Sequence, residues 1–388
     1  MVRVELDGVA RDPAGALRLR DESLPGLWPW FDLLPIVDRR AIVSLGEGGT
    51  PLLEARRLGR ELGVSTLLLK DETRNPTGSF KDRMLAVGVT RAVECGHDTV
   101  AVQSSGNVGA AAAAYAARAG LRATVFVPRT APDEKLLQAR MYGADVLRID
   151  CDSPADIFEL LSWACDEFGW HLVSTAAIYN PFTLEGAKTI AYEIAVELDF
   201  DLPEWMIVPV GGGGNIGSLW RGLLDLRALG LVGRLPRMVG VQAAGCAPFV
   251  AAIANDRTPQ DALIERWPAI DTVAGAIADD VVFDAHIALP AVRESDGTAV
   301  AVADADTLAM VAALARAEGI FVEPAAATGL AAVRGLAAEG RITSGDRVLC
   351  LLTGHGLKDP GTARTLLAAE PLVPFDRAAV AARVRKGA

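Results

Sequence analysis

The chain has 388 residues, of which 51% are hydrophobic and 22% are charged, and its formal net charge is −11. These values exclude a disordered or fibrous protein and predict a globular chain that is long enough for two domains. Without a Lys/Arg-rich run, the negative charge argues against nucleic acid as a partner. The amino terminus has no apolar leader and no membrane-length apolar stretch follows, so we expect no membrane partner and a cytoplasmic location.

The cysteines are scattered and form no CxxC pair. They are Cys95, Cys151, Cys165, Cys246 and Cys350. This spacing indicates neither a zinc site nor a disulfide framework, so no metal site is predicted. We expect buried thiols in a reducing compartment.

Aromatic residues are concentrated near the amino terminus. Trp28, Trp30 and Phe31 lie beside Pro29 and Pro35. They predict an arm, residues 1–48, that packs on the body of the protein. Core packing is the favoured interpretation of these aromatic side chains, and a dimer contact is the alternative.

Lys81 follows a Gly-Ser turn within the segment KDETRNPTGSFKDR, residues 70–83. Ser79 is predicted to cap a helix, with Asp82 three positions on, and Gly96 is the expected stop. A buried lysine at a helix amino terminus loses its charge easily, because the helix dipole disfavours a cation there. The uncharged amine can attack an aldehyde carbon, so Lys81 is a candidate Schiff-base residue for pyridoxal phosphate. The alternative is a solvated surface charge.

From residue 99 onward, strand-like runs alternate with helix-like runs in two series. The first series has strands at residues 99–103, 123–128, 144–150 and 171–175 and helices at residues 107–119, 133–142 and 154–168. The second has strands at residues 205–210, 238–243 and 347–352 and helices at residues 183–198, 308–318 and 326–339. This alternation predicts an α/β fold of two domains, each with a mostly parallel sheet flanked by helices.

Three polar loops follow predicted strands, at the sheet edge where ligands collect. The first is SSGN, residues 104–107. Its hydroxyls, its backbone N–H groups and the following helix amino terminus suit a carboxylate, and the Asn107 amide can donate to a phenolic oxygen. Such strings are also common in turns, so a purely structural role is the alternative.

The second loop is GGGGN, residues 211–215, which we call the glycine loop. Successive glycines let the backbone approach an anion closely, as a phosphate cradle requires. Gly212, Gly214 and Gly217 also spell the GxGxxG of dinucleotide sites. However, the next strand ends at Gln242 instead of an acidic ribose partner, and no GK[ST] occurs. A single small phosphate fits this loop better.

The third loop is TGHGLKD, residues 353–359. Thr353 offers a neutral hydroxyl that can face a pyridine nitrogen, while His355 and Lys358 can face a substrate. In the plainer interpretation, Thr353 caps a turn, His355 is a polar loop residue and Lys358 is solvated.

Together these motifs resemble the threonine synthase family of fold-type-II pyridoxal-phosphate enzymes. In chain order they are GLWPWFDLLP, LGEGGTPL (residues 45–52), KDETRNPTGSFKDR, SSGN, PVGGGGNIGSLWRG, GIFVEPAAATGL (residues 319–330) and TGHGLKD. The resemblance covers nearly the whole chain. It implies an active site between a small mobile domain, residues 84–178, and a large cofactor-binding domain, residues 49–83 and 179–388. A homodimer is also implied.

The resemblance implies a role for each matching residue. Lys81 would form the Schiff base and Asn107 would bind the cofactor's phenolic oxygen. Thr353 would meet the pyridine nitrogen. The cofactor's phosphate would be held by Gly211, Gly212, Gly213, Gly214 and Asn215. The substrate would contact Ser104, Ser105, Lys188 and His355. The implied activity is that of a lyase, in which the γ-phosphate of O-phosphohomoserine leaves and water adds at Cβ.

One position departs from the family pattern. Where the family has Asn-Pro-x-Arg-x-Glu-Gly-x-Lys-Thr, this chain has NPFTLEGAKT, residues 180–189, and Thr183 replaces the arginine. That arginine is implied to bind the substrate phosphate, and a hydroxyl reproduces neither its charge nor its fork. Either another cation compensates or the substrate carries no phosphate. The candidate cations are Lys188, Arg83, Lys70 and Lys358.

Three other interpretations therefore stay open. The first is an ammonia lyase, dehydratase or β-replacement enzyme on the same scaffold, which Thr183 favours. The second is a catalytically silent paralogue that binds the cofactor, which the presence of Lys81 and Asn107 opposes. The third is a nicotinamide-dependent dehydrogenase, which Gln242 opposes.

Overall fold

The computed structural model describes residues 21–387, so the first part of the predicted arm and the amino terminus lie outside the described residues. The strands are β1 Leu52–Glu54, β2 Thr66–Asp71, β3 Thr99–Gln103, β4 Arg122–Pro128, β5 Asp145–Ile149, β6 His171–Leu172, β7 Trp205–Pro209, β8 Arg237–Ala243, β9 Thr298–Val302 and β10 Arg347–Leu352. The helices of the first half are α1 Arg56–Leu62, α2 Lys81–Glu94, α3 Asn107–Ala119, α4 Asp133–Met141, α5 Pro154–Phe168 and α6 Pro181–Glu197. Those of the second half are α7 Gly214–Ala228, α8 Pro248–Ala254, α9 Pro259–Ile264, α10 Ala285–Arg293, α11 Asp304–Glu318, α12 Pro324–Ala338, α13 Pro360–Thr365 and α14 Arg377–Gly387.

The strands form two sheets. The larger has the order β1-β2-β10-β7-β8-β9, with β1 antiparallel to β2 and the other pairs parallel. The smaller has the order β5-β4-β3-β6 and is parallel throughout. Strand β7, WMIVP, is buried along its whole length, as in a parallel sheet covered by helices on both faces. The predicted α/β architecture with two parallel-sheet-rich parts is confirmed.

Several elements were absent from the sequence prediction. Strands β1, β2 and β9 and the helices between residues 248 and 293 were not expected. Strand β9, TAVAV, is only partly buried at the edge of its sheet. Conversely, the strand predicted for residues 171–175 ends at Leu172. After Val173, whose N–H donates to the Ala101 carbonyl, the chain leaves the sheet.

The predicted cap of α2 is wrong. The helix begins at Lys81, but its N-cap is Phe80, which makes no side-chain cap, and the buried Ser79 hydroxyl has no partner among residues 21–387. Ser79 is instead held in a β-bridge to Gly354, and the Phe80 N–H donates to the Thr353 carbonyl at 3.0 Å. The turn before Lys81 is thus fastened to the loop after β10, which fixes where the helix can start.

The described part of the amino-terminal arm packs into the core, which confirms the favoured interpretation of its aromatic residues. Trp28 is fully buried, and its indole N–H donates to Glu47 Oε1 at 3.0 Å. The Trp30 ring lies with its centroid 5.2 Å from that of Tyr192 on α6.

All five cysteines are free thiols. Cys165, Cys246 and Cys350 are buried as predicted, but Cys95 is exposed and Cys151 is partly exposed. Cys95 follows the last residue of α2 and Cys151 lies two residues beyond β5, and both positions are at the surface. Within residues 21–387, no helix combines the length and the hydrophobicity that crossing a membrane requires.

A buried ion-pair network positions α2. Arg83 follows Asp82 on α2. Its guanidinium binds Glu72 Oε2 at 2.7 Å and Glu193 Oε1 at 2.6 Å. Glu193 on α6 also accepts from Lys70 at 3.0 Å. Because Arg83 and Glu72 are fully buried, each charge is stable only while its partners are present. The network therefore joins the helix that carries Lys81 to α6 and to the segment after β2.

We expect Arg83→Ala to lower the free energy of unfolding by about 3–5 kcal/mol, because it leaves Glu72 and Glu193 buried without their cation. Urea-induced unfolding measures this change. The matched control is Arg40→Ala, since Arg40 is largely exposed in its pair with Asp38 and should cost at most about 1 kcal/mol. Equal effects of the two substitutions would contradict the proposed role of the network.

Candidate active site

Lys81 is the first residue of α2 and is surrounded by acidic side chains. Its Nζ lies 3.4 Å from Thr175 Oγ1 and 4.7 Å from the centroid of the Phe80 ring. Burial lowers the pKa of the Lys81 ammonium and outweighs the opposite effect of the Asp279, Asp284 and Glu323 carboxylates. A lysine in this state gives up its proton easily, as a nucleophilic amine must. We call this group of residues the Lys81 site.

The glycine loop reaches the same place. It joins β7 to α7, and Gly213 has φ = 99°, a conformation that favours glycine. A Cβ atom at Gly213 would lie 2.7 Å from the Ala288 Cβ, and one at Gly214 would lie 3.2 Å from the carbonyl oxygen of Thr175. Thr175 is therefore a neighbour of both Lys81 and the glycine loop, and the fold brings these two distant motifs together.

Asn215 leaves polar atoms without partners in the glycine loop. The residue is buried, and neither its Oδ1 nor its Nδ2 has a hydrogen-bond partner among residues 21–387. Burying an unpaired amide costs free energy, so such a group usually has a bound partner in the working protein. Together with the close-approach glycines, Asn215 fits a phosphate-bearing ligand.

Asp279 and Asp284 are residues that the sequence analysis missed. The Asp279 Oδ2 lies 2.6 Å from where a Cβ on Gly211 would stand, and Asp284 Oδ2 lies 2.7 Å from that position on Gly214. The Ala177 N–H donates to Asp284 Oδ1 at 2.7 Å. Burial raises the pKa of both carboxyl groups, that of Asp284 to about 7. Neither aspartate belongs to a recognisable motif, so only the folded chain shows that they line the glycine loop.

Asn107 forms a hydrogen bond with Glu323, which precedes helix α12. It opens α3, and its Nδ2 donates to Glu323 Oε1 at 3.0 Å. Glu323 precedes α12, and burial raises the pKa of its carboxyl group to about 7. The Glu323 N–H donates to the Gly354 carbonyl at 3.0 Å. Asn107 is thus placed against the loop that follows β10.

The three predicted site residues in the loop after β10 have different surroundings. Thr353 is buried directly beyond the strand. His355 Nδ1 accepts from the Leu357 N–H at 3.1 Å, and its ring lies edge-on to Phe321. The Lys358 ammonium donates to Gln138 Oε1 on α4, so this loop also contacts a helix of the smaller sheet.

Ser104 and Ser105 lie in the loop between β3 and α3, and both are half-buried. The Ser104 hydroxyl accepts from the Gly106 N–H at 3.1 Å. This bond shapes the turn that precedes Asn107, the residue that contacts Glu323.

Three of the four cations considered as replacements for the family arginine are committed elsewhere. Lys188 pairs with Glu185 at 2.8 Å and with Asp225 at 2.9 Å, between α6 and α7. Arg83 and Lys70 belong to the buried network around Glu193. The structure therefore gives Lys188 a structural pairing and does not place it beside Lys81.

Thr183 is fully buried between α2 and α6. Its Oγ1 lies 2.9 Å from where a Cβ on Gly88 would stand, and this hydroxyl has no partner within residues 21–387. By contrast, Lys135 on α4, another residue missed by the sequence analysis, has its Nζ 3.6 Å from the Cβ position of Gly275. Lys135 and Lys358 both act electrostatically on Glu323. The fold thus brings these two lysines near Glu323, one of the acidic residues around Lys81.

Comparisons with known proteins agree with this geometry. Residues 43–354 match the family described as "Pyridoxal-phosphate dependent enzyme". The threonine synthase of Methanocaldococcus jannaschii is 41% identical over 354 residues, which are 91% of this chain and 85% of that protein. The threonine synthase of Mycobacterium tuberculosis (strain ATCC 25618 / H37Rv) is 39% identical over 359 residues, with 91% and 95% covered.

Solved structures show the same fold. A threonine deaminase from T.th. superposes with a TM-score of 0.66 and 27% identity, covering 83% of this chain and 94% of its own. A mutant of O-ureido-L-serine synthase with bound O-ureido-L-serine superposes with a TM-score of 0.69 and 20% identity, covering 90% and 99%. The resemblance noted in the motifs is confirmed over most of the chain, which belongs to the threonine synthase family of pyridoxal-phosphate-dependent enzymes.

Proposed function

We propose that this enzyme, a pyridoxal-phosphate-dependent lyase, converts O-phosphohomoserine and water to threonine and phosphate. The observation that carries the proposal is the placement of Lys81. It is a half-buried lysine with a lowered pKa at the start of α2, and Thr175 links it to the glycine loop. The relatives named threonine synthase support this choice of reaction.

The residues present fit pyridoxal phosphate. Lys81 would hold the aldehyde carbon, and the glycine loop with the unpaired Asn215 amide would hold the phosphate. Asn107 would donate to the phenolic oxygen, and Thr353 would meet the pyridine nitrogen. When bound, the cofactor supplies a conjugated ring that takes up electrons released at the substrate Cα.

Side chains of the enzyme then accept the Cα proton of the substrate and orient the substrate. The neutral Lys81 amine is the base that accepts the Cα proton. Because Thr353 is a neutral hydroxyl, no carboxylate at that position holds a proton on the ring nitrogen. Ser104 and Ser105, beside the amino terminus of α3, would bind the substrate carboxylate, with His355 at the opposite loop.

A substrate phosphate needs nearby cations. Lys358 and Lys135 stand near Glu323 at the Lys81 site, whereas Lys188, Lys70 and Arg83 are paired with buried carboxylates. We therefore assign the role of the missing family arginine to Lys135 and Lys358. In this proposal Lys188, which pairs with Glu185 and Asp225, has a structural role and does not bind the substrate.

A second candidate is an ammonia lyase, dehydratase or β-replacement reaction on an unphosphorylated amino acid. Two observations favour it. Thr183 provides no charge, and the carboxyl groups of Asp279 and Asp284, not cations, lie beside the glycine loop. A catalytically silent paralogue is disfavoured, because Lys81 keeps the burial and the neighbours that a nucleophilic amine needs.

The relative motion of the two domains, a homodimeric assembly and a cytoplasmic location are predictions from the sequence. We expect residues 84–178 to move against residues 49–83 and 179–388, and the contact between Lys358 and Gln138 links these two parts. A homodimer is supported by large exposed apolar side chains such as Trp163 and Phe168 on α5. A cytoplasmic location is supported by the five free thiols.

A substrate panel distinguishes the two reactions. We expect the enzyme with bound cofactor to release threonine and phosphate in equal amounts from O-phosphohomoserine, and little ammonia from serine, threonine or O-phosphoserine. Phosphate, threonine and ammonia are measured in the same reactions. Brisk ammonia release from serine or threonine, with O-phosphohomoserine inert, would replace the first proposal by the second.

In the same assay, Lys135→Met should raise KM for O-phosphohomoserine at least about tenfold, because it removes a cation from the substrate phosphate. Arg140→Met is the matched control, since Arg140 is an exposed residue of the same helix. An unchanged KM for Lys135→Met would remove Lys135 from the phosphate site.

We expect Lys81→Ala and Lys81→Arg to abolish both turnover and the covalent adduct with pyridoxal phosphate. Arginine keeps the positive charge but cannot form the imine, so it separates the loss of charge from the loss of the nucleophile. Borohydride reduction followed by peptide mass spectrometry locates the adduct. An adduct on another lysine in the wild-type protein would show that Lys81 is misassigned.

We expect Gly213→Ala to weaken binding of pyridoxal phosphate at least about tenfold and to lower the free energy of unfolding by about 1–3 kcal/mol. The added Cβ would stand 2.7 Å from Ala288 Cβ, and φ = 99° strains any other residue. Absorbance titration and urea-induced unfolding measure the two effects. Gly233→Ala, at an exposed position with open space around its Cβ, is the control that should change neither.

A further inference from the structure

The glycine loop already has an anion against it. The Asp279 Oδ2 lies 2.6 Å from the Cβ position of Gly211 and 3.4 Å from that of Gly212, so the carboxylate fills the space that these glycines leave open. The Gly212 N–H lies close enough to the same carboxylate to lower its pKa. That N–H is one of the donors that a phosphate in this loop would need.

The groups near Asp279 are Lys81, two aspartates of its own loop and Cys246. Lys81 on α2 is the nearby cation, and Asp284 before α10 and the adjacent Asp280 are the nearby anions. The Cys246 thiol donates to the Asp279 carbonyl oxygen at 3.3 Å. A phosphate dianion placed on the loop would therefore meet two carboxylates on its own side, Asp279 and Asp284.

A proton removes this conflict. A protonated Asp279 carries no charge and can donate a hydrogen bond to a phosphate oxygen, whereas the carboxylate only repels it. Burial raises the pKa of Asp279 and Asp284 above the ordinary carboxyl value, which favours the protonated form.

We propose that Asp279 competes with the cofactor's phosphate for the glycine loop, so that pyridoxal phosphate binds together with a proton on this side chain. The inference rests on the proposed function, in which the glycine loop holds that phosphate. Affinity for pyridoxal phosphate falls as pH rises, because the competing carboxylate becomes more populated. Asp279 thus sets how firmly this enzyme keeps its cofactor at alkaline pH.

The test is a titration of the cofactor-free full-length protein with pyridoxal phosphate, followed by absorbance, at several values between about pH 6 and about pH 8.5. For the wild-type protein we expect Kd to rise with pH. Asp279→Asn keeps an oxygen that can accept from Gly212 but removes the charge. It should bind at least about tenfold more tightly at the alkaline end and show a flatter pH dependence.

Two controls isolate the phosphate. Asp296→Asn changes an exposed carboxylate that pairs with Arg237 at 3.4 Å and does not act on the pKa of Asp279, so it should leave Kd as in the wild type. Asp279 also acts on Lys81, so the substitution affects any aldehyde that reacts there; pyridoxal, which lacks the phosphate, should therefore gain at least about tenfold less from Asp279→Asn than pyridoxal phosphate does. An equal gain for pyridoxal, or no gain for pyridoxal phosphate, would overturn the proposal.

Calorimetry gives a readout that needs no variant. In two buffers of different ionisation enthalpy, pyridoxal phosphate should take up about one more proton than pyridoxal on binding the wild-type protein near neutral pH. Equal proton uptake by the two ligands would also overturn the role of Asp279. If neither wild type nor Asp279→Asn forms an adduct at any pH, the proposed cofactor site itself fails. An adduct that responds to neither pH nor Asp279→Asn defeats this inference alone.

Discussion

Arg83 holds together the part of the fold on which the Lys81 site depends. Its guanidinium binds Glu72, which follows β2, and Glu193 on α6, with all three groups withdrawn from water. Since an unpaired charge in that environment is strongly unfavourable, α2 has one stable position against α6. Lys81 is two residues away on the same helix, so this pairing also sets where its amine lies relative to Thr175 and the glycine loop.

Burial and Coulomb attraction act in opposite directions on the pKa of Lys81. Asp279, Asp284 and Glu323 each raise the pKa of the lysine, but loss of hydration lowers it by more. The same burial raises the pKa of these carboxyl groups. Lysine and acids are therefore all biased toward their neutral forms, which suits a site that must exchange protons and admit an anionic ligand.

Much of the fold could be predicted from local pattern. Strand β7 and helices such as α3, α5 and α6 appear close to their expected bounds, because hydrophobic periodicity and capping residues such as Ser153 and Asn180 act over a few neighbours. The edge strand β9 was not predicted, although its sequence TAVAV is rich in apolar residues. Ser79 was misjudged because its bridge to Gly354 is made by a segment 275 positions later in the chain.

The sequence by itself determined the family, the α/β class and the candidate Lys81, Asn107, glycine loop and Thr353, because each is a contiguous motif whose chemistry depends on adjacent residues. Only the tertiary structure decided which charges surround them. It paired Lys188 with Glu185 and Asp225, and it brought Lys135, Asp279 and Asp284 to the Lys81 site. Such pairings depend on how helices and loops distant in sequence pack, and no local pattern encodes that packing.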